Sequence, residues 1–483
     1  MNQNKILFVT TELAPLARSG GLGDVMGALP PTLRRSGADA RIIMPLYKKI
    51  KDQYGSELTF LRWAMVKLGW RTMYSGLLRM DVNGVPVYFI DNDFYFGHDQ
   101  LYLDYSFDIE RFCFFQRAVL EALGNPMDFH PEILHLNDWH TAMIPCLLEA
   151  HYKPYGHHRG LRTILTIHNL KFQGIHSRER IADLLDLPDR YLTESTTLKD
   201  GVPNFLKAGI IFADRVTTVS PSYAGEMMTE YFGEGLHTLL QNQAHKVSGI
   251  LNGIDDMEYD PSRDPCLPTL YSIDNWSDGK ASCKTALQQE LGLEQDAGKP
   301  LLAMVTRLTD QKGMDLLLHV LDELLNGDMQ LAILGTGDPQ YENALRSYAE
   351  RYPGLLAFRQ EFNGPLSHRF YAGADIFLMP SLFEPCGLSQ MIAMRYGTLP
   401  VVRETGGLKD TVRPYNKYTG EGNGFSFLNI NAHEFLFTTR HACDIYRHAP
   451  QAWRRLVETA MSGDYSWERS AHVYLDLYRD VMI

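Results

Sequence analysis

Short apolar runs alternate along this chain with longer segments in which apolar residues recur every three or four positions. The runs cover residues 6–10, 40–44, 85–90, 133–136, 162–166 and 215–220 in the first half, and 301–306, 330–334, 357–360, 375–380 and 399–403 in the second. Continuous apolar runs of this length are typical of strands buried on both faces of a parallel sheet. The segments between them read as crossover helices. The pattern therefore predicts an α/β protein with two doubly wound, Rossmann-like domains.

The first such unit shows the pattern clearly. The run at residues 6–10 is followed by a glycine loop, then by apolar residues at helical spacing from Leu22 to Leu33, then by the run at residues 40–44. Pro30 and Pro31 fall inside the helical pattern, where proline removes backbone hydrogen bonds. We expect a β-α-β unit whose helix is kinked or restarted at these prolines.

A short phrase occurs once in each half, as Ser19-Gly20-Gly21-Leu22-Gly23-Asp24-Val25 and as Thr405-Gly406-Gly407-Leu408-Lys409-Asp410. Each copy follows a predicted strand and opens a predicted helix. Glycines allow a backbone to pass close to a ligand, and the first N–H groups of a helix favour anions. The two loops predict two domains that face a central cleft and hold one anionic ligand there.

The amino-acid composition restricts the classes of protein to which this chain can belong. The chain has 483 residues, 45% hydrophobic and 22% charged, with a net charge of −12. This balance is typical of globular proteins. The sequence has no basic stretch that could bind the phosphate backbone of a nucleic acid. The six cysteines form no CxxC pair, which favours a reducing compartment. No run is long enough for a signal peptide or a membrane span, so a cytoplasmic protein without membrane association is expected.

Charged side chains follow two predicted strands of the second half. Arg307 and Lys312 come after the run at 301–306, where a guanidinium and an ammonium suit a diphosphate. Glu384 follows the run at 375–380, where a carboxylate can bind sugar hydroxyls and stabilise positive charge at a sugar carbon. Ordinary surface cations and a helix-start acid are the alternative interpretations.

Polar and aromatic residues follow two predicted strands of the first half. Asp138 and His140 flank Trp139 after the run at 133–136, and His168 precedes Asn169 after the next strand. These groups suit carbohydrate, which stacks on rings and binds carboxylates. A metal is disfavoured because no acidic or thiol partner stands at ligand spacing. A nicotinamide cofactor is also disfavoured, because the first loop lacks the G-x-G-x-x-G spacing.

Taken together, these motifs resemble one known family. The phrases are Gly20-Gly21-Leu22, Asn137-Asp138-Trp139-His140, Ile167-His168-Asn169-Leu170, Leu251-Asn252-Gly253-Ile254-Asp255, Arg307 with Lys312, Phe383-Glu384-Pro385-Cys386-Gly387-Leu388 and Thr405-Gly406-Gly407-Leu408. They span the whole chain, which resembles the bacterial glycogen synthases and plant starch synthases that use ADP-glucose. The resemblance implies a GT-B fold and retaining glucosyl transfer, without cofactor or metal, to glycogen or a maltooligosaccharide.

The resemblance also implies roles and boundaries. It implies catalytic roles for Arg307, Lys312, Glu384, His168 and Asp138, and donor-binding roles for Arg18, Gly20, Gly21, Asp24, Asn252, Phe362, Cys386, Gly387, Leu388, Thr405, Gly406 and Gly407. The acceptor domain is expected at 1–250 and the donor domain at 251–463. The segment 464–483 is expected to pack back on the first domain as the family's final helix.

Three positions depart from related sequences. Arg18 stands where the family often has Lys, Phe362 where a Tyr often stacks on adenine, and Ile392 where related GT-B enzymes often have a ribose-binding Glu. Arg18 keeps the positive charge with another geometry, and Phe362 keeps stacking without the hydroxyl. UDP-glucose as donor and a catalytically weak glucan-binding protein therefore stay open as alternative functions.

Overall fold

The predicted apolar runs form the strands of two separate sheets. The computed structural model describes residues 4–124, 127–326 and 328–483; Met1–Gln3, which were included in the predicted N-terminal segment, lie outside the described residues. The strands are β1 Lys5–Val9, β2 Asp39–Pro45, β3 Thr59–Leu68, β4 Arg71–Val82, β5 Val85–Asp91, β6 Ile133–Asn137, β7 Arg162–Ile167, β8 Leu198–Lys199, β9 Val202–Pro203, β10 Arg215–Thr218, β11 Val247–Gly249, β12 Leu301–Val305, β13 Gln330–Leu334, β14 Leu356–Arg359, β15 Ile376–Met379, β16 Leu399–Arg403 and β17 Phe425–Phe427.

Helices connect most of these strands. They are α1 Gly21–Arg35, α2 Lys48–Tyr54, α3 Asp93–Phe96, α4 Tyr105–Gly124, α5 Ile144–Leu147, α6 Arg178–Leu185, α7 Phe205–Phe212, α8 Pro221–Glu226, α9 His237–Asn242, α10 Trp276–Leu291, α11 Met314–Leu324, α12 Pro339–Arg351, α13 Gly364–Gly373, α14 Ser389–Arg395, α15 Gly406–Thr411, α16 Ala432–His448, α17 Pro450–Met461 and α18 Trp467–Met482. The prediction of two doubly wound α/β sheets is confirmed.

The chain divides into two compact units. Unit 1 comprises residues 1–252 and 467–483, and unit 2 comprises residues 253–466. Unit 1 contains a sheet in the order β11-β10-β7-β6-β1-β2-β5-β4-β3, and unit 2 one in the order β14-β13-β12-β15-β16-β17. The unit 2 sheet is parallel throughout its paired strands. Because ligands of such sheets bind beyond the carboxyl ends of the strands, these ends are where each unit's site is built.

The edge of the first sheet differs from the predicted parallel arrangement. β3 pairs antiparallel with β4, and β4 pairs antiparallel with β5. The sequence pattern missed both β3 and β4, because this edge is not a continuous apolar run: Trp63 and Met65 are exposed while Val66 and Leu68 are buried. An antiparallel edge with one face in water is compatible with an otherwise parallel sheet.

Helix α1 runs without interruption through Pro30 and Pro31, so the expected restart is wrong. Leu29, Pro30 and Leu33 are buried on its core-facing side. This apolar packing offsets the backbone hydrogen bonds that the two prolines cannot make.

The last helix, α18, belongs to unit 1. It packs against α1, where Arg35 forms an ion pair with Glu468 at 2.8 Å. Deeper in the unit, the Tyr478 hydroxyl hydrogen-bonds His135 Nδ1 at 2.7 Å, and both side chains are buried. The C-terminal segment is therefore part of the N-terminal core, joined to the strand that leads to Asp138.

Two further observations concern the whole described chain. All six cysteines are free thiols. None of the helices seen in residues 4–124, 127–326 and 328–483 is long and apolar enough to cross a membrane.

Candidate active site

The carboxyl end of β1 in unit 1 carries a carboxylate that the sequence reasoning missed. Glu12 is 4% exposed and accepts hydrogen bonds from the Ser19 amide and hydroxyl, each at 2.7 Å, from the Gly20 amide at 3.2 Å, and from the Tyr102 hydroxyl at 2.7 Å. The first glycine loop is thus built around a buried negative charge. The only sequence signal was an acid directly after an apolar strand.

Gly20 and Gly21 are not required by the protein's own packing. A Cβ built on either residue meets no heavy atom within 4 Å, and neither has a positive φ. Glycines that neither packing nor backbone conformation demands are explained by close approach of a ligand. This supports the predicted ligand-binding role of this loop.

The two charged residues of this loop lie together. Arg18 Nη1 donates to Asp24 Oδ1 at 2.7 Å, with side-chain exposures of 39% and 31%. The pair restricts the direction of the Arg18 guanidinium. The donor-binding roles of Arg18 and Asp24 stay predictions, and the ion pair shows that the two side chains lie together.

Asp138 lies past the end of β6 in a left-handed conformation, with φ of +56°. Its Oδ1 accepts the backbone N–H of His168 at 2.7 Å. Removal from water raises the pKa of this carboxyl to about 7, against the stabilising effect of hydrogen bonds from the backbone of His168 and Asn169. Asp138 therefore links the segments that follow β6 and β7, and its carboxyl group can hold a proton near neutral pH.

His168 is held as a neutral ring. Asn137 Nδ2 donates to the carbonyls of Val9 and His135, so Asn137 Oδ1 is left to accept from His168 Nε2 at 2.9 Å. Burial lowers the pKa of His168 to about 3. The Nε2–H tautomer leaves Nδ1 as an acceptor for a hydroxyl group of a ligand.

Trp139 and His140 are buried within unit 1. They are 5% and 7% exposed, and their rings pack against Phe112, with His140 also stacked on Tyr102 at 5.4 Å. Both rings belong to the core of unit 1. That the polar and aromatic residues of this segment bind carbohydrate stays a prediction.

Asn252, the last residue of the first part of unit 1, is 5% exposed. Its Oδ1 is buried without a hydrogen-bond partner among the described residues. Buried polar atoms are rarely left unsatisfied, so this atom is a candidate ligand contact.

In unit 2, Lys312 and Glu384 form an ion pair. Lys312 Nζ lies 2.5 Å from Glu384 Oε2, and their side chains are only 18% and 9% exposed. Lys312 ends a short 3-10 turn after β12, and Glu384 follows β15, the neighbouring strand. The topology thus brings together two residues, 72 positions apart, that the sequence placed in one site.

Arg307 lies in the same β12 loop but is exposed. No residue in the described part of the chain pairs with its guanidinium. Beside the part-buried ion pair, the same loop therefore offers a guanidinium that no carboxylate of the described residues neutralises directly. That charge suits a diphosphate.

The loop that carries Glu384 is braced from two sides. Ser381 Oγ donates to Glu384 Oε2 at 3.2 Å. Gln311, next to Lys312, accepts the Leu382 amide at its carbonyl at 2.8 Å and donates its Nε2 to the Phe383 carbonyl at 3.2 Å. The carboxylate and the ammonium are therefore positioned by one interlocked pair of loops.

Residues 386–388 turn this loop into α14. Gly387 has φ of +68°, which favours glycine, and Leu388 precedes the first residue of the helix. Gln390 Nε2 donates to the carbonyls of Cys386 and Gly387 at 3.2 and 2.9 Å, and Cys386 is 5% exposed. The positive φ of Gly387 and the hydrogen bonds from Gln390 thus shape the turn.

The second glycine loop is glycine-rich for a different reason from the first. A Cβ on Gly406, where φ is +45°, would lie 2.0 Å from the Glu384 carbonyl oxygen, and one on Gly407 would lie 2.1 Å from that of Cys386. The Gly407 amide donates to the carbonyls of Glu384 and Pro385, and Thr405 before them is fully buried. These residues support the Glu384 loop, and the Gly407 amide is already engaged within the protein.

Phe362 lies between β14 and α13 and is 85% exposed. An exposed aromatic face is suited to stacking on a base.

Asp264, Cys266 and His368 place their potential metal-ligand atoms within 4.8 Å of one another, a grouping found once among the residues that the structure describes. The Asp264 carboxylate accepts from His368 Nδ1 at 2.7 Å, the Tyr396 hydroxyl at 2.5 Å and the Cys266 amide at 2.9 Å. These hydrogen bonds account for the cluster, so it is assigned no ion.

Comparison with known proteins identifies the family of this chain. Residues 5–242 match the starch synthase catalytic domain family, and residues 289–435 match glycosyl transferases group 1. The glycogen synthase of Geobacillus thermodenitrificans is 49% identical, covering 99% of this chain and 98% of the relative. The chain belongs to the glycogen synthase family. That of Clostridioides difficile is 46% identical with 99% of each chain covered. The protein is thus a glycosyltransferase enzyme.

A solved structure shares the fold. The catalytic domain of Starch Synthase IV from Arabidopsis thaliana, bound to ADP and acarbose, has a TM-score of 0.90 and 34% identity, with full coverage of both chains. Family membership implies a nucleotide-sugar donor and a glucan acceptor for this glycogen synthase family member.

Proposed function

We propose that this protein transfers glucose from ADP-glucose to the non-reducing 4-hydroxyl of an α-1,4-glucan, with retention at the anomeric carbon. The observation that carries the proposal is the Lys312–Glu384 ion pair beside the exposed Arg307. This group combines cations for a departing diphosphate with a carboxylate for the sugar, in a chain of the glycogen synthase family.

Arg307 and Lys312 bind the diphosphate and stabilise the charge that develops on it as the glycosidic bond breaks. The Lys312 ammonium has three N–H donors, so it can keep its contact with Glu384 while donating to a phosphate oxygen. Electrostatic stabilisation by such fixed charges is often the largest catalytic contribution. Because these cations supply it, we propose a reaction that needs no metal.

Glu384 binds the transferred glucose and stabilises positive charge at the anomeric carbon. Its carboxylate is 7% exposed and fixed by Lys312 and Ser381, so little reorganisation is needed during the reaction. The Ser381 hydroxyl thus fixes the orientation of the carboxylate within its ion pair with Lys312.

On unit 1, His168 offers a neutral ring whose Nδ1 accepts a sugar hydroxyl. Asp138 fixes the His168 backbone and, with its raised pKa, donates or accepts a hydrogen bond to the acceptor glucan near pH 7. The Gly20-Gly21 loop, with Arg18, provides close backbone approach to an anionic group of the donor.

Two observations favour adenine as the donor base. The Arabidopsis starch synthase structure was bound to ADP, and Phe362 presents an exposed ring for stacking. Stacking alone does not exclude uracil, so UDP-glucose is the competing donor.

The test is incorporation of labelled glucose into glycogen from ADP-glucose or UDP-glucose, with and without a chelator. We expect higher turnover with ADP-glucose and no effect of the chelator. Replacing Arg307 or Lys312 by alanine should lower turnover on the order of a hundredfold or more. Losses below tenfold in both variants contradict these roles, activity abolished by chelation contradicts the metal-free reaction, and no incorporation from either donor favours a glucan-binding protein.

A further inference from the structure

We propose that Arg403 is a positioning residue for glucosyl transfer: its buried guanidinium holds the backbone of residues 381–382 and thereby fixes the direction of the Glu384 carboxylate. This inference rests on the proposed function. Arg403 was absent from the sequence motifs. It acts through the loop that carries Glu384.

The guanidinium of Arg403 binds backbone carbonyls on two segments. Arg403 ends β16 and is 5% exposed. Its Nε donates to the Ser381 carbonyl at 2.9 Å, its Nη2 to the Leu382 carbonyl, and its Nη1 to the Leu428 carbonyl at 3.4 Å. One side chain thus ties two consecutive peptide groups of the loop to the segment that follows β17.

Those two peptide groups lead directly to the carboxylate. Ser381 accepts from Arg403 at its carbonyl and donates from its hydroxyl to Glu384 Oε2 at 3.2 Å. The Leu382 carbonyl faces Arg403, while the Leu382 amide donates to the Gln311 carbonyl at 2.8 Å. The loop is therefore held from two sides, by Arg403 at the end of β16 and by Gln311 beside Lys312.

Only arginine suits this arrangement. Its rigid fork of five N–H donors can satisfy three carbonyls at fixed angles, whereas a lysine ammonium is a single point on a flexible stem. Loss of the fork leaves buried carbonyl groups unpaired and allows the loop to shift. A displacement of about 1 Å in a catalytic group can cost on the order of a hundredfold in rate.

The experiment compares Arg403→Lys and Arg403→Gln with a matched control, Arg440→Gln. Arg440 also donates to a backbone carbonyl in unit 2, that of Glu323 at 2.8 Å, but it lies on α16 and is part of neither glycine loop nor the Glu384 loop. For each variant we would measure kcat and KM for ADP-glucose, the Kd for ADP, and the midpoint of thermal unfolding. Rates are taken well below the lowest unfolding midpoint, so that every variant is folded when assayed.

We expect kcat to fall about 30-fold or more in Arg403→Gln and less in Arg403→Lys, which can still bind one or two carbonyls. The Kd for ADP should change less than threefold, because Arg307 and Lys312 bind the diphosphate. Arg440→Gln should keep wild-type kcat.

Three results would overturn the inference: kcat within threefold of wild type in Arg403→Gln, an equal loss in Arg440→Gln, or a loss expressed only in the Kd for ADP. If the wild-type protein itself transfers no glucose, the proposed function fails instead, so the two failures are distinguishable.

Discussion

The repeated Gly-Gly phrase supports a direct comparison of two single methyl groups. Gly21 and Gly407 are each the second glycine of their phrase, and each lies in the first turn of a helix. A methyl on Gly21 meets open space, whereas one on Gly407 lies 2.1 Å from the Cys386 carbonyl oxygen. We predict that Gly21→Ala impairs donor binding without loss of stability, and that Gly407→Ala loses stability.

The magnitudes follow from these distances. For Gly21→Ala, helix propensity changes the unfolding free energy by at most about 1 kcal/mol, in the stabilising direction. For Gly407→Ala, the backbone carbonyl must move by about 1 Å, and overpacking of this kind costs about 1–3 kcal/mol. In a unit of roughly 200 residues, that lowers the unfolding midpoint by about 3–10 °C.

Calorimetry measures both quantities: scanning for the unfolding midpoints, and titration for ADP binding. Gly21→Ala should keep or raise the midpoint and weaken ADP binding about tenfold, or about 1.4 kcal/mol. If Gly21→Ala binds ADP as tightly as wild type, the open space beside it does not receive the donor. If Gly407→Ala unfolds at the wild-type temperature, the packing argument for the second loop is wrong.

Three further outcomes are expected. Tyr478→Phe leaves a nitrogen of buried His135 unpaired and should cost about 1–3 kcal/mol by thermal unfolding, whereas the exposed control Tyr155→Phe should cost nothing measurable. Because the pKa of Asp138 is raised to about 7, its contribution to stability is complete below about pH 4 and is lost as the pH rises through 7. Asp138→Asn should therefore flatten the pH dependence of the unfolding midpoint. An unchanged pH profile in this variant contradicts the prediction. Glu12→Gln should raise the KM for ADP-glucose severalfold through loosening of the first glycine loop, and unchanged kinetics would exclude that role.

The sequence predicted the buried parallel strands because such strands are continuous apolar runs. It missed β3 and β4, whose exposed edge breaks that pattern. It also missed β8, β9, β11 and β17, whose two or three residues are too short to show a period. It also predicted that α1 is kinked or restarted at its prolines, and the restart is wrong because local rules for proline take no account of burial in the core.

The residues of the candidate site also divide into those that the sequence could predict and those that it could not. Lys312 and Glu384 could be grouped because both follow strands of one sheet, which meet at their carboxyl ends. Glu12 and Arg403 could not be assigned to the site from the sequence, because their roles depend on hydrogen bonds with backbone groups that only the fold brings close. Likewise, the Gly-Gly-Leu sequence that the two phrases share does not reveal that a Cβ would meet open space in one and a tight contact in the other.

The position of α18 has a consequence for synthesis on the ribosome. Residues 253–466 form a complete unit of their own, whereas unit 1 needs residues 467–483 to close over His135. At about 5–20 residues per second, roughly 200 residues must be translated between the two pieces of unit 1, a delay on the order of 10–40 s. Unit 1, whose first part is translated first, is therefore completed after unit 2. A nascent chain that lacks α18 exposes the face of unit 1 that this helix covers.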